Sequence, residues 1–174
     1  LKAEVFPANP LSTPNRAVLD LPMAPLEGIG LKNEFIEAYN CVDKKSVKTL
    51  DFFGQSQKVH ICDLVNTAQA TNGVFAYTPV DDPAKIESRS DTYSEVSMYF
   101  HTARAYQFFR DLGGIPTAQV VSDKPLRAVA NLQIAAGITG GGGNPGDPET
   151  PLQPFSNAFF SPAGGGLGSI FEQL

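Results

Sequence analysis

The chain has 174 residues, a formal net charge of -5 and a pI near 4.9, with 42% hydrophobic and only 18% charged residues. That length suits a domain with a packed core, and the acidic balance without a basic stripe argues against a nucleic-acid partner. No apolar run approaches the roughly 18 residues of a membrane-spanning helix, so no membrane span is expected.

Sixteen glycines and 14 prolines point to strands joined by long ordered connections. The chain starts at Leu1 with no visible signal peptide, so a mature or processed product is expected. Residues 1–30 carry Pro7, Pro10, Pro14, Pro22 and Pro25, whose missing N–H groups and fixed φ exclude regular helix. Val5, Phe6, Val18, Leu19, Leu21 and Leu26 argue for an extended arm draped over a surface rather than a loose tail. The remainder, 31–174, is expected to form one sheet-plus-helix domain. Strand candidates are 35–42, 46–53 and 58–62, with a turn at 54–57; Asn72-Gly73 is a strong turn dipeptide before a strand at 74–77. Together these read as an antiparallel meander, closed by Asp81-Asp82-Pro83. Cys41 and Cys62 sit in or beside strand-like runs that a hairpin would bring together. A disulfide is expected, two buried thiols being the alternative.

Residues 90–114 carry the long helical signal. Tyr93, Val96, Tyr99, Phe100, Ala103, Tyr106, Phe109 and Leu112 recur at spacings of three and four and make one apolar stripe. Thr92 with Glu95 reads as a capping box, and Asp91 complements the N-terminal end. Arg110, Gly113-Gly114 and Pro116 mark the stop. A helix of this length must be packed along a sheet, which gives the fold class: α+β, an antiparallel or mixed β-sheet packed on one long amphipathic helix, with Gly-rich loops. Beyond it, 125–134 alternates as a strand, 140–149 is a long irregular loop, and 155–160 is a short apolar run suited to an edge strand. Gly164-Gly165-Gly166 forms a joint, after which Ile170, Phe171 and Leu174 give an apolar end that wants a partner.

Recognisable catalytic spacings are absent from the sequence. His60 and His101 stand in no His-Glu-x-x-His, the cysteines form no Cys-x-x-Cys, and no Gly-x-Ser-x-Gly occurs. The two histidines read as structural, and no metal ligands or catalytic residues are assigned. Gly140–Gly143 lacks the Gly-Lys-Ser/Thr ending of a phosphate loop. Asp147 and Glu149, like Asp81 and Asp82, are candidates for calcium only together with backbone carbonyls. The aromatics of the helix read as core rather than as a ligand platform.

Two segments carry a family resemblance. Residues 95–110, EVSMYFHTARAYQFFR, look like the first long helix of thermolysin-like and fungalysin-like zinc metallopeptidases. Downstream, Phe155-Ser156-Asn157-Ala158-Phe159-Phe160 resembles the Asn-Ala-aromatic edge strand of that family. The resemblance implies that Asn157, Ala158 and Phe159 are substrate-binding, bordering a cleft where an extended peptide pairs with the strand. It also implies that zinc and the His-Glu-x-x-His helix belong to a C-terminal remainder following Leu174, which would be this chain's partner besides peptide or protein substrate. This chain is then catalytically incomplete on its own. Strand alternation puts Asn157 on one face with Phe155 and Phe159, where an amide can serve a peptide main chain or tie down the neighbouring loop. A low Lys content and the expected disulfide favour a secreted, periplasmic or cell-surface location. The alternative is a non-catalytic structural or interaction module that assembles with itself or another chain through the arm and the apolar end.

Overall fold

The computed structural model describes residues 1–8, 11–23, 30–52, 55–79, 91–113, 125–138 and 141–154. In chain order these form β1 (Lys2–Val5), β2 (Ala17–Asp20), β3 (Ile36–Val42), β4 (Val47–Phe52), β5 (Gln55–His60), β6 (Asp63–Val65), β7 (Val74–Phe75), α1 (Thr92–Gly113), β8 (Leu126–Ala130), β9 (Gln133–Ala135) and β10 (Leu152–Pro154). The class is α+β, with mixed and antiparallel sheets and α1 packed on β3 and β8.

Burial on both faces of β3 makes it the centre of the fold. Ile36 and Ala38 share a core with Val96, Tyr99, Phe100, Ala103 and Tyr106 of α1, while Cys41, one step out of phase, joins a second core with Leu50, Val59, Ile61 and Leu152. β8 runs parallel to β3, in the register Ile36↔Leu126 through Asn40↔Ala130, and β6 pairs antiparallel on the other side. A parallel pair needs a crossover, and α1 lies in the one between β3 and β8. The expected meander is therefore corrected. β3 does not pair with β4; Lys45, at φ 59, lies in the short corner that separates them, and β4 instead forms a hairpin with β5. That hairpin is longer than the sequence suggested, since Gln55, Ser56 and Gln57 are in strand and pair with Phe52, Asp51 and Leu50. Their polar side chains are exposed, which hides a solvent-facing strand from an apolar-pattern reading.

The Pro-rich stretch contributes two strands. β1 pairs antiparallel with β2 and parallel with β7, and Ala3 and Val5 are wholly buried against the helix core. Phe6 packs edge-on against Tyr93, with ring centroids 6.2 Å apart, and Arg104 donates to the Pro7 carbonyl at 2.6 Å.

The alternating run at 125–134 is broken in two. Asn131 adopts φ 55, which ends β8 and turns the chain into β9, so one predicted strand serves two sheets. β9 pairs with β10, and an isolated Ile61↔Ile134 bridge ties that pair to the hairpin end. The helix stripe also stops short. Tyr93 through Tyr106 are buried as expected, but Phe109 and Leu112 are 62% and 68% exposed, as is Phe108 at 58%. Among the described residues no helix is long and apolar enough to cross a membrane.

Candidate functional site

The cap of α1 is Asp91, one residue before the predicted Thr92. Its carboxylate accepts from the Ser94 N–H at 3.2 Å and from the Ser94 hydroxyl. Glu95 is thereby free of capping duty and is fully buried. Its carboxylate accepts from the Thr67 N–H at 2.9 Å, the Thr67 hydroxyl at 2.6 Å, the Asn40 amide at 3.2 Å and the Ala68 N–H at 3.3 Å. Asn40, also fully buried, donates to the Asp91 carbonyl at 2.8 Å and accepts from Asn131 Nδ2 at 3.0 Å. One polar network thus joins β3, the start of α1, the 66–68 connection and the β8–β9 break, with donors matched to acceptors as burial demands.

On the opposite face of β3, Glu37 holds a second cluster. Lys32 Nζ lies 2.5 Å from Glu37 Oε1 and the Tyr39 hydroxyl donates to Oε2 at 2.7 Å. Burial pushes the Glu37 carboxyl up, but Lys32 and Tyr39, with Arg127 nearby, outweigh it and hold the group below its usual range. The same burial and the neighbouring carboxylate raise the Tyr39 hydroxyl.

The third cluster surrounds Cys41 and Cys62, which are bridged, with Cα atoms 5.3 Å apart. The bridge links β3 to the end of the β4–β5 hairpin. Beside it His60 is fully buried, with Nδ1 2.8 Å from the Thr150 carbonyl and Nε2 2.9 Å from Asp43 Oδ1. Its backbone N–H donates to the Pro145 carbonyl at 2.5 Å. Burial pushes the Asp43 carboxyl up, yet the Lys45 N–H, the His60 ring and the Lys45 charge hold it below its usual range.

This third cluster leads to the sequence-assigned residues. β10 ends at Pro154 in register with Gln133. The expected edge strand at 155–160 comes next in sequence, and all of it, Asn157, Ala158 and Phe159 included, lies outside the described residues. The loop 141–150 closes on itself before β10: the Thr150 hydroxyl donates to the Asn144 carbonyl at 2.7 Å and the Thr150 N–H to the Asp147 carbonyl at 3.0 Å. Asp147 Oδ1 accepts from the Glu149 N–H at 2.9 Å, an Asx-type turn that uses the carboxylate locally.

A hydrolytic zinc needs three protein ligands and an open position. The described residues do not fit it. No three of His, Cys, Asp and Glu come together among them. Both ring nitrogens of His60 are engaged, both cysteine sulfurs are in the bridge, and His101 is exposed on α1. No catalytic step is assigned to these residues. His60 and Glu95 carry more of the architecture than the sequence reading gave them. The available signal was polarity in an apolar setting: Asn40 inside an apolar strand, and His60 between Val59 and Ile61.

No protein-family model, no curated protein and no solved structure matches the chain.

Proposed function

We propose that this chain is the N-terminal, substrate-cleft-forming part of a secreted zinc metallopeptidase, with the zinc ligands supplied by sequence beyond the 174 residues. The observation that carries this reading is an order of elements. An aromatic helix, α1, packs on β3 and on β8, the strand that follows it, and β9–β10 then lead directly into the Asn157-Ala158-Phe159 segment. A strand offering main-chain groups at a sheet edge suits capture of an extended peptide. The Cys41–Cys62 bridge supports an oxidising, extracytoplasmic location. The test is peptide hydrolysis by the protein as its gene encodes it, before and after chelation and zinc readdition, together with the sequence encoded after Leu174. Zinc-restored activity and a His-Glu-x-x-His within about forty residues are expected. A stop codon directly after Leu174, or activity indifferent to chelation, overturns the reading.

One observation favours a second reading, an assembly module. Phe108, Phe109 and Leu112 expose an apolar end of α1, with Met98 a further 39% exposed. Light scattering decides it: a stable oligomer supports assembly, and a monomer at high concentration removes it.

A further inference from the structure

From Met98 onward, the face of α1 turned away from the sheet is apolar. Met98, His101, Ala105, Phe108 and Leu112 are all exposed and follow one another at steps of three, four, three and four. That is the spacing of a seam on which a second helix packs, knobs entering the holes between facing residues. Tyr99, Ala103 and Tyr106, which face the core, lie on the opposite side of the helix, so the seam is separate from the core stripe. A surface helix ordinarily carries polar residues there. The seam runs about 21 Å from end to end, and Phe109, 62% exposed, borders it.

The charges beside the seam decide which helix fits. Arg104 and Asp111 are both exposed and stand along one edge of it, each just before a seam residue. The Pro7 carbonyl and the Phe100 ring, 5.5 Å from its guanidinium carbon, hold Arg104 in place. Pro7 takes one of the five N–H donors of that group. Asp111 accepts from the adjacent Arg110 at 3.1 Å and keeps a side chain 60% exposed. Two copies of α1 laid antiparallel set His101 against the partner's Leu112 and Ala105 against the partner's Phe108, each contact occurring twice about the two-fold axis. The small Ala105 leaves room for the larger ring. The same register brings Arg104 beside the partner's Asp111, again twice. A parallel pair would place Arg104 against the partner's Phe109 and give it no carboxylate.

We propose that this face binds a second copy of the chain, the two α1 helices packing antiparallel through His101, Ala105, Phe108 and Leu112, with Arg104 and Asp111 fixing the direction. The inference rests on the assembly reading above and names its partner and register. Exposed ion pairs add little affinity, so the apolar layers supply the binding and the charges the orientation. Four layers make a small interface, which suits a weak dimer.

Sedimentation equilibrium of the protein as encoded, over a concentration series, tests this. A dimer in the micromolar range is expected. Phe108→Lys should weaken it about thirtyfold or more while leaving the circular dichroism unchanged, because Phe108 is 58% exposed in the single chain. Arg104→Asp and Asp111→Arg each set two like-charge pairs across the seam and should weaken the dimer about tenfold. Mixed in equal amounts, these two variants pair opposite charges at both positions and should dimerise as tightly as the parent. Should Arg104→Asp fail to fold, because it also gives up the Pro7 carbonyl, Asp111→Arg is compared with Asp111→Asn: repulsion across the seam makes the Arg variant the weaker dimer, and equal dimers overturn the register. A parent that stays monomeric throughout overturns this inference and the assembly reading together. A parent dimer indifferent to Phe108→Lys, or a mixture no tighter than its two components, overturns the seam while leaving assembly through another surface.

Discussion

Replacing Glu95 by Ala removes the acceptor at the centre of the network under α1. Helix propensity cannot explain a loss, because Ala is the better helix former, and Asp91 still caps the helix. The Asn40 amide keeps the Asp91 carbonyl at 2.8 Å, and the Thr67 hydroxyl keeps weak contact with Thr92 at 3.4 Å. The backbone N–H groups of Thr67 and Ala68 lose Glu95 as their acceptor, Ala68 being 1% exposed. Each orphaned donor costs about 1–3 kcal/mol. Thr67 is only half-buried, so water recovers part of its share, and a net loss of about 3 kcal/mol is expected. At about 2–4 °C per kcal/mol for a chain of this size, the melting temperature should fall by about 6–12 °C. Glu95→Gln keeps the shape and one acceptor but turns an NH2 toward existing donors, so it should fall between parent and Ala. Urea titration with an unchanged m-value would attribute the difference to the native state. A loss below about 1 kcal/mol for Ala, or Gln as damaging as Ala, would refute the view that Glu95 satisfies this part of the core.

Glu37 and Asp43 are both held below the usual carboxylate range in the folded chain, so the stability they add is present above their unfolded values near 4 and is lost as pH falls through the folded ones. Glu37→Gln should flatten the acid limb of a stability-against-pH curve, and an unchanged limb would count against the Lys32–Glu37–Tyr39 cluster. Burial pushes the Tyr99 hydroxyl from 10.0 up to about 12, against the opposing hydrogen bond from Asn33. A raised group adds stability below its unfolded value and loses it as pH rises through the folded one, so alkaline unfolding should set in across that interval and be reduced in Tyr99→Phe. The Cys41–Cys62 bridge closes a separation of 21 residues and should contribute roughly 3 kcal/mol by the chain-entropy estimate. Intact mass after alkylation of unreduced protein should show no free thiol, and two labelled thiols would contradict the bridge.

Local signals carried most of what the sequence made legible. The spacing of Tyr93, Val96, Tyr99 and Phe100 located α1, and the apolar run at 35–42 located β3. The cysteine pair was legible because Cys41 lies in β3 and Cys62 stands between β5 and β6, the strand paired with β3, although the route between them is not the meander expected. What stayed hidden was non-local or conformational. Pairing of β3 with β8 spans the whole of α1, and nothing in either strand's own pattern selects that partner over β4. Asn131 breaks an otherwise continuous alternation through a positive φ that Asn tolerates but does not announce. Thr92 and Glu95 fit a capping box by spacing, yet Asp91, the residue just before α1 begins, takes the capping role. Phe109 and Leu112 continue the helical spacing past Tyr106, and periodicity alone does not say where the sheet beneath them ends. The candidate substrate residues were reached through resemblance rather than through any physical pattern, and they lie outside the described residues.

The most direct test of the central claim is Asn157→Ala in the protein as encoded, with peptide kcat/KM and melting temperature measured side by side. An Asn that holds substrate main chain contributes to turnover and little to folding, so kcat/KM should fall about tenfold or more while the melting temperature moves by no more than a degree or two. Parallel loss of activity and stability would make Asn157 a structural tie for the neighbouring loop and would contradict the cleft assignment.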